Sequence, residues 1–192
     1  MFQAEFGFAA LLALVMLVSP GCRSSGTANS NPTVTSARQM TMPATLPTPY
    51  LDPNSIPSDL KITLSRTTCY GACPAYKVEI YGNGRVVFEG QRHVKKEGTV
   101  TWQINDNRIK QLISEFNNIN YFSLSDSYSL LDRKGCPNFA TDAPSVTTSI
   151  TINGQTKTVF HSRGCHDSEV LSKLEAFEDR IDELSDAKRR IE

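Results

Sequence analysis

The chain has 192 residues, 39% of them hydrophobic and 21% charged, values ordinary for a globular protein that leave room for one domain with appendages. Lysine plus arginine and aspartate plus glutamate each number 20. Glu5 is the only charge in the first 22 residues, so the remainder carries 20 positive against 19 negative side chains, a balance that gives no electrostatic reason to expect nucleic acid as a partner.

Phe6 to Val18 is an apolar run that breaks at Ser19-Pro20-Gly21-Cys22. Spanning a bilayer takes about 20 apolar residues, so this run is too short for a membrane helix and suits the core of a signal peptide. Val18-Ser19-Pro20-Gly21-Cys22 resembles a bacterial lipobox, with Ser19 where leucine is usual, and places Cys22 as the acylated residue. Residues 1–22 are therefore expected to be a lipoprotein-type signal peptide. The expected location is the periplasmic side of a bacterial cell envelope, with the membrane as partner through the lipid anchor. Ser19-x-Gly21 also satisfies the small-x-small rule of ordinary secretion.

Residues 23–58 hold six of the ten prolines, many Ser, Thr and Asn, and only Arg23, Arg38 and Asp52 as charges. Such a composition buries too little apolar surface to offset its ordering entropy, and predicts a disordered tether of about 30–36 Å as a random coil. A single domain is expected over residues 59–187, large enough to bury about two-thirds of its surface.

Within it, Lys61 to Arg66 predicts a first strand with Ile62 and Leu64 on one face. Thr67 to Tyr76 then gathers Cys69, Cys73, Gly71, Pro74 and two tyrosines. Tyr76 to Tyr81 and Arg85 to Glu89 predict a hairpin around Gly82-Asn83-Gly84. A three-residue loop pairs Ile80 with Val86, Val78 with Phe88 and Lys77 with Glu89, which sorts apolar residues to one face and opposite charges to the other. Thr99 to Ile104 predicts another strand, with Val100, Trp102 and Ile104 inward. Asp106 to Asn117 predicts a helix capped by Asn105 or Asp106, with Ile109, Leu112, Ile113 and Phe116 on one stripe. Ser145 to Ile152 and Thr156 to His161 predict a second hairpin around Asn153-Gly154, whose register the pattern leaves open. Asp167 is expected to cap a last helix with the stripe Leu171, Leu174, Phe177, Ile181, Leu184. The fold expected is α+β: an antiparallel sheet of two β-hairpins plus flanking strands, with two helices packed on one face.

Cys69, Cys73, Cys136 and Cys165 can pair in three ways, and an exported chain meets an oxidising compartment. Gly71 and Pro74 suggest a tight turn that favours Cys69 with Cys73. Cys136 with Cys165 would then clip the open end of the second hairpin. The rival chemistries are two. His161, Cys165 and His166 offer metal-ligand types, but not at a recognised zinc spacing. Cys69-x-x-x-Cys73-Pro74 resembles the copper motif of exported Sco-type thioredoxin-like proteins, and thiolates suit copper. That motif opens a helix, whereas Tyr76 to Tyr81 alternates as a strand. No cofactor or metal is assigned. His93 and His166 are expected at the surface, and Asp142 in an Asx-type turn.

Arg66-x-x-Cys69-Tyr70-Gly71-x-Cys73-Pro74-x-Tyr76, followed by Ile80-Tyr81-Gly82-Asn83-Gly84-x-Val86-x-Phe88-x-Gly90, resembles the bacterial family called domain of unknown function 6438. Thr141-Asp142 and the closing amphipathic helix fit the same pattern, over about residues 60–185. The resemblance implies an exported or lipid-anchored domain and brings no catalytic residue with it. The function expected is a non-enzymatic, disulfide-stapled envelope module that binds an envelope protein or small molecule, or is structural. The alternative is a thiol-redox or copper-handling protein using Cys69 and Cys73.

Overall fold

The computed structural model describes residues 50–132 and 135–192. The signal peptide, Cys22 and the tether up to residue 49 lie outside the described residues. Residues 50–58, assigned above to the tether, are packed against the domain. Leu51 is buried, and its backbone N–H and C=O are both engaged by the side-chain amide of Asn117, at 3.1 and 2.7 Å. Proline-rich composition argues against regular structure, not against packing, and Leu51, Ile56 and Leu60 anchor this stretch to the core.

The chain then forms β1 (Lys61–Arg66), β2 (Ala75–Tyr81), β3 (Arg85–Arg92) and β4 (Gly98–Gln103). They are followed by α1 (Asp106–Asn118), a 3-10 turn at Tyr121–Ser123 and the two-residue strands β5 (Ser127–Tyr128) and β6 (Asn138–Phe139). β7 (Ser145–Ile152), β8 (Gln155–Ser162), β9 (Cys165–His166), α2 (Glu169–Leu184) and α3 (Lys188–Ile191) complete it. The main sheet has seven strands in the order β4-β3-β2-β1-β7-β8-β5, and β6 pairs with β9 in a second sheet of two strands. The class is α+β. The main sheet is mixed rather than antiparallel, because Ser127 and Tyr128 run parallel to Phe160 and His161. Two residues are too few to show an alternation, so nothing in the sequence marks β5.

β2 and β3 pair Ile80 with Val86, Val78 with Phe88 and Lys77 with Glu89, the register of the three-residue loop. Gly84 makes the turn at φ +82°, where an added Cβ would strike the carbonyl oxygen of Ile104. β7 and β8 meet across Asn153-Gly154 with Ile152 opposite Gln155, and both loop residues have positive φ, as a tight primed turn requires. That register turns Lys157 inward opposite Ile150 and Phe160 outward opposite Thr147, the reverse of their polarity, which is why the pattern left it open. The Lys157 ammonium is satisfied by the Leu124 carbonyl and by an ion pair with Asp126.

Asn105 caps α1 by accepting from the Arg108 N–H. The helix expected after Asp167 is α2, and it begins after Ser168 instead. Asp167 is left-handed at φ +66°, and its carboxylate accepts from the Asn138 side chain at 2.9 Å. Ile109, Leu112, Ile113 and Phe116 of α1 and Leu171, Leu174, Phe177, Ile181 and Leu184 of α2 are buried. They share one core with Ile62, Leu64, Val78, Ile80, Val86, Phe88, Val146, Ile150 and Val159 of the strands. Phe116 meets Tyr121 and Phe177 edge-on at 4.7 and 4.8 Å, and the buried Tyr121 hydroxyl donates to the Thr148 carbonyl at 2.8 Å.

Candidate functional site

The inward alternation of the strands continues past the apolar core into a polar row. Tyr76 lies opposite Arg66, Arg66 opposite Val146, and Val146 opposite His161, so one line across β2, β1, β7 and β8 carries a phenol, a guanidinium and an imidazole. Facing it, α2 places Glu178, Asp179 and Asp182, the first and third one turn apart.

Asp182 is the centre of this cluster. Its Oδ2 accepts from Tyr76 OH at 2.7 Å, Arg66 Nη2 at 2.9 Å and Arg66 Nε at 3.1 Å, while Arg66 Nη2 also reaches Asp179 at 2.9 Å. Asp182 Oδ1 is buried and accepts from no group among the described residues. Burial pushes the Asp182 carboxyl up from its usual range, against the pull of Arg66 and Tyr76. Burial likewise raises the Tyr76 phenol, and the neighbouring Asp182 raises it further. Burial is the largest influence on the Arg66 guanidinium and pulls it down, but its polar neighbours, Asp182 first with Tyr76 and Glu178 behind it, together outweigh burial and hold the group above its ordinary value.

The second half of the row is closed. His161 Nδ1 lies 2.8 Å from Glu178 Oε1 with both side chains buried, and Arg163 reaches the other Glu178 oxygen at 3.3 Å. His161 Nε2 is buried with no partner among the described residues.

Arg66, Tyr76, Asp179 and Asp182 floor a cavity of about 320 Å³. Pro74 forms one wall and Lys188, Ile191 and Glu192 another. Pro74 ties this cavity to the cysteine knot. Cys69 and Cys73 are at disulfide distance, with Cα atoms 5.5 Å apart, and Cys136 and Cys165 form the other pair at 5.0 Å. The knot leans on the turn before β7: Thr67 N–H donates to the Ser145 carbonyl at 3.0 Å and Tyr70 N–H to the Asp142 carbonyl at 3.1 Å. Tyr70 projects from the knot 91% exposed. Asp142 is left-handed at φ +66°, and its carboxylate accepts from Thr141 rather than from a backbone amide.

The predicted ligand types do not converge. Cys165 is buried in its pair with Cys136, His161 is in the core, His166 is half-exposed beside Asp167, and His93 is exposed on a loop. Among the described residues no group of three or more His, Cys, Asp and Glu side chains is placed to hold a metal ion, and no helix is long and apolar enough to cross a membrane.

The family model described as Domain of unknown function (DUF6438) matches residues 60–185. The chain belongs to that family. The matched span runs from the end of the packed lead-in at Leu60 to the close of α2, and so holds both cysteine pairs and every member of the Arg66–Tyr76–Asp182 cluster. No curated protein matches the sequence.

The cluster had a signal that sequence reading passed over. Arg66 and Tyr76 occupy inward positions of β1 and β2, in step with Ile62 and Leu64 and with Val78 and Ile80. Glu178 and Asp182 fall on the apolar stripe of α2 between Leu174, Ile181 and Leu184. Charged residues at core-facing positions of two facing elements pair with one another.

Proposed function

We propose that this chain is an exported, lipid-anchored envelope protein whose disulfide-stapled domain serves as a binding or structural module. The pairing of all four domain cysteines carries the reading: closed as disulfides, they leave the Cys69–Cys73 knot as a clamp on the turn before β7, and thiolates for copper would appear only on reduction. The apolar run before Cys22 supports export, and disulfides persist in the compartments that export reaches. α1 and α2 touch each other and share the core with the inner strand residues, which supports both helices lying on one face and leaving the other to solvent or a partner.

The cavity over Arg66, Tyr76 and Asp182 is where such a module would take a small polar ligand. All three donors to Asp182 are engaged within the protein, so this cluster positions rather than reacts.

Growth with a palmitate analogue tests the anchor. The wild-type chain is expected to take the label and the Cys22→Ala chain to lose it; an unlabelled wild type overturns the lipid anchor.

A further inference from the structure

The two edges of the main sheet are built differently. β5 ends one edge with two residues, too short to offer a ladder. β4 ends the other with six residues in unbroken register with β3 and carries no charge, proline or bulge, the devices that ordinarily protect an edge. Ile104 N–H donates to the Gly84 carbonyl, which fixes the even-numbered residues of β4 as those bonded to β3. Thr99, Thr101 and Gln103 therefore turn their N–H and C=O groups outward, and their side chains are exposed. The inner side of the strand is closed, because Trp102 donates to the Ser185 carbonyl at 2.9 Å and lies under the Arg190 guanidinium at 3.8 Å.

We propose that β4 is a self-pairing edge, on which a second copy of this chain adds its own β4 antiparallel about a two-fold axis through Thr101. The strand is complementary to itself in that register. Thr101 meets Thr101 of the second copy, and Thr99 meets Gln103 in both directions. Every outward N–H and C=O of the three residues is then used, in about six hydrogen bonds. A slip of two residues leaves one end of each strand unpaired. The side chains that meet are β-branched or uncharged, which suits cross-strand pairs, and no like charges face each other. The dimer so formed carries one sheet through both copies, and two isologous patches satisfy the closed symmetry of ordinary homodimers.

Sedimentation velocity of the full chain bearing Cys22→Ala, which leaves acyl-driven association out, tests this from micromolar to millimolar concentration in a mild detergent that shields the apolar run Phe6 to Val18. The unsubstituted edge is expected to give a monomer–dimer equilibrium. Thr101→Pro removes the outward N–H without touching the β3 ladder and is expected to weaken the dimer about tenfold or more. Thr101→Lys and Thr101→Glu place like charges on the axis and each weaken it several-fold, while an equimolar mixture of the two regains the unsubstituted affinity. The mixture distinguishes lost pairing from lost folding. A chain that stays monomeric throughout, or lysine and glutamate variants that dimerise as well alone as mixed, overturns the proposal.

Discussion

Replacing Arg66 by methionine is expected to cost far more than a surface ion pair is worth. The Arg66 and Asp182 side chains are only 13% and 9% exposed, so the substitution strands a buried carboxylate whose one remaining donor among the described residues is the Tyr76 hydroxyl. Breaking a buried pair from one side costs about 3–5 kcal/mol, and at about 2–4 °C per kcal/mol for a chain of this size the melting temperature should fall by about 6–20 °C. Replacing the whole cluster with apolar groups (Arg66→Met, Asp182→Leu and Tyr76→Phe together) removes the stranded charge and the orphaned hydroxyl. It should recover most of the loss, since the desolvation cost disappears with the pair. The pH dependence has a definite sign. Asp182 is raised in the fold, so the protonated form is favoured there. The penalty of Arg66→Met is full at neutral pH and shrinks as acid neutralises the carboxyl. Urea unfolding followed by the fluorescence of Trp102, the only tryptophan, reads all of this. A single variant within 1 kcal/mol of wild type (about fivefold in the folding equilibrium), or a triple variant less stable than the single, would refute the reasoning.

Glu79 answers to pH in the opposite sense. Hydrogen bonds from Lys77, Lys61 and Tyr81 hold it at about 2, against 4.5 unperturbed, so its stabilisation is complete above about pH 4.5 and lost as the pH falls toward 2. Glu79→Gln should flatten the acid limb of a stability–pH curve over that window and leave its shape above pH 5 unchanged. Removing the Cys136–Cys165 pair closes off a constraint spanning 29 residues and should cost about 3.6 kcal/mol on the chain-entropy account; removing Cys69–Cys73, which spans 4, should cost about 2 kcal/mol. Denaturant titration of the two double alanine variants gives the order, and the reverse order contradicts the loop-length argument.

The strands and helices that carry long periodic patterns were legible from residues alone. Period two placed β1 on its observed residues, and cross-strand sorting chose the first hairpin's register because Ile80–Val86, Val78–Phe88 and Lys77–Glu89 each pair like with like or opposite charges. The second hairpin was not legible at the same level, since Lys157 and Phe160 sit on the faces opposite to their polarity. β5, β6 and β9 escaped because two residues carry no period. Asp167 reads as a helix cap by its type and position, but a competing bond from Asn138 draws its carboxylate away. The candidate site was half legible. The cysteine knot stands out as composition, whereas the Arg66–Tyr76–Asp182 cluster joins residues more than a hundred positions apart, and only the α+β packing brings them together.

The central claim is that the four domain cysteines are closed staples rather than working thiols. Intact mass of the exported protein after thiol alkylation, before and after reduction, tests it most directly. The account predicts that Cys69, Cys73, Cys136 and Cys165 take no alkyl group until a strong reductant is added, and that four then appear together. Alkylation of Cys69 and Cys73 without reductant, or copper carried through purification, would contradict it.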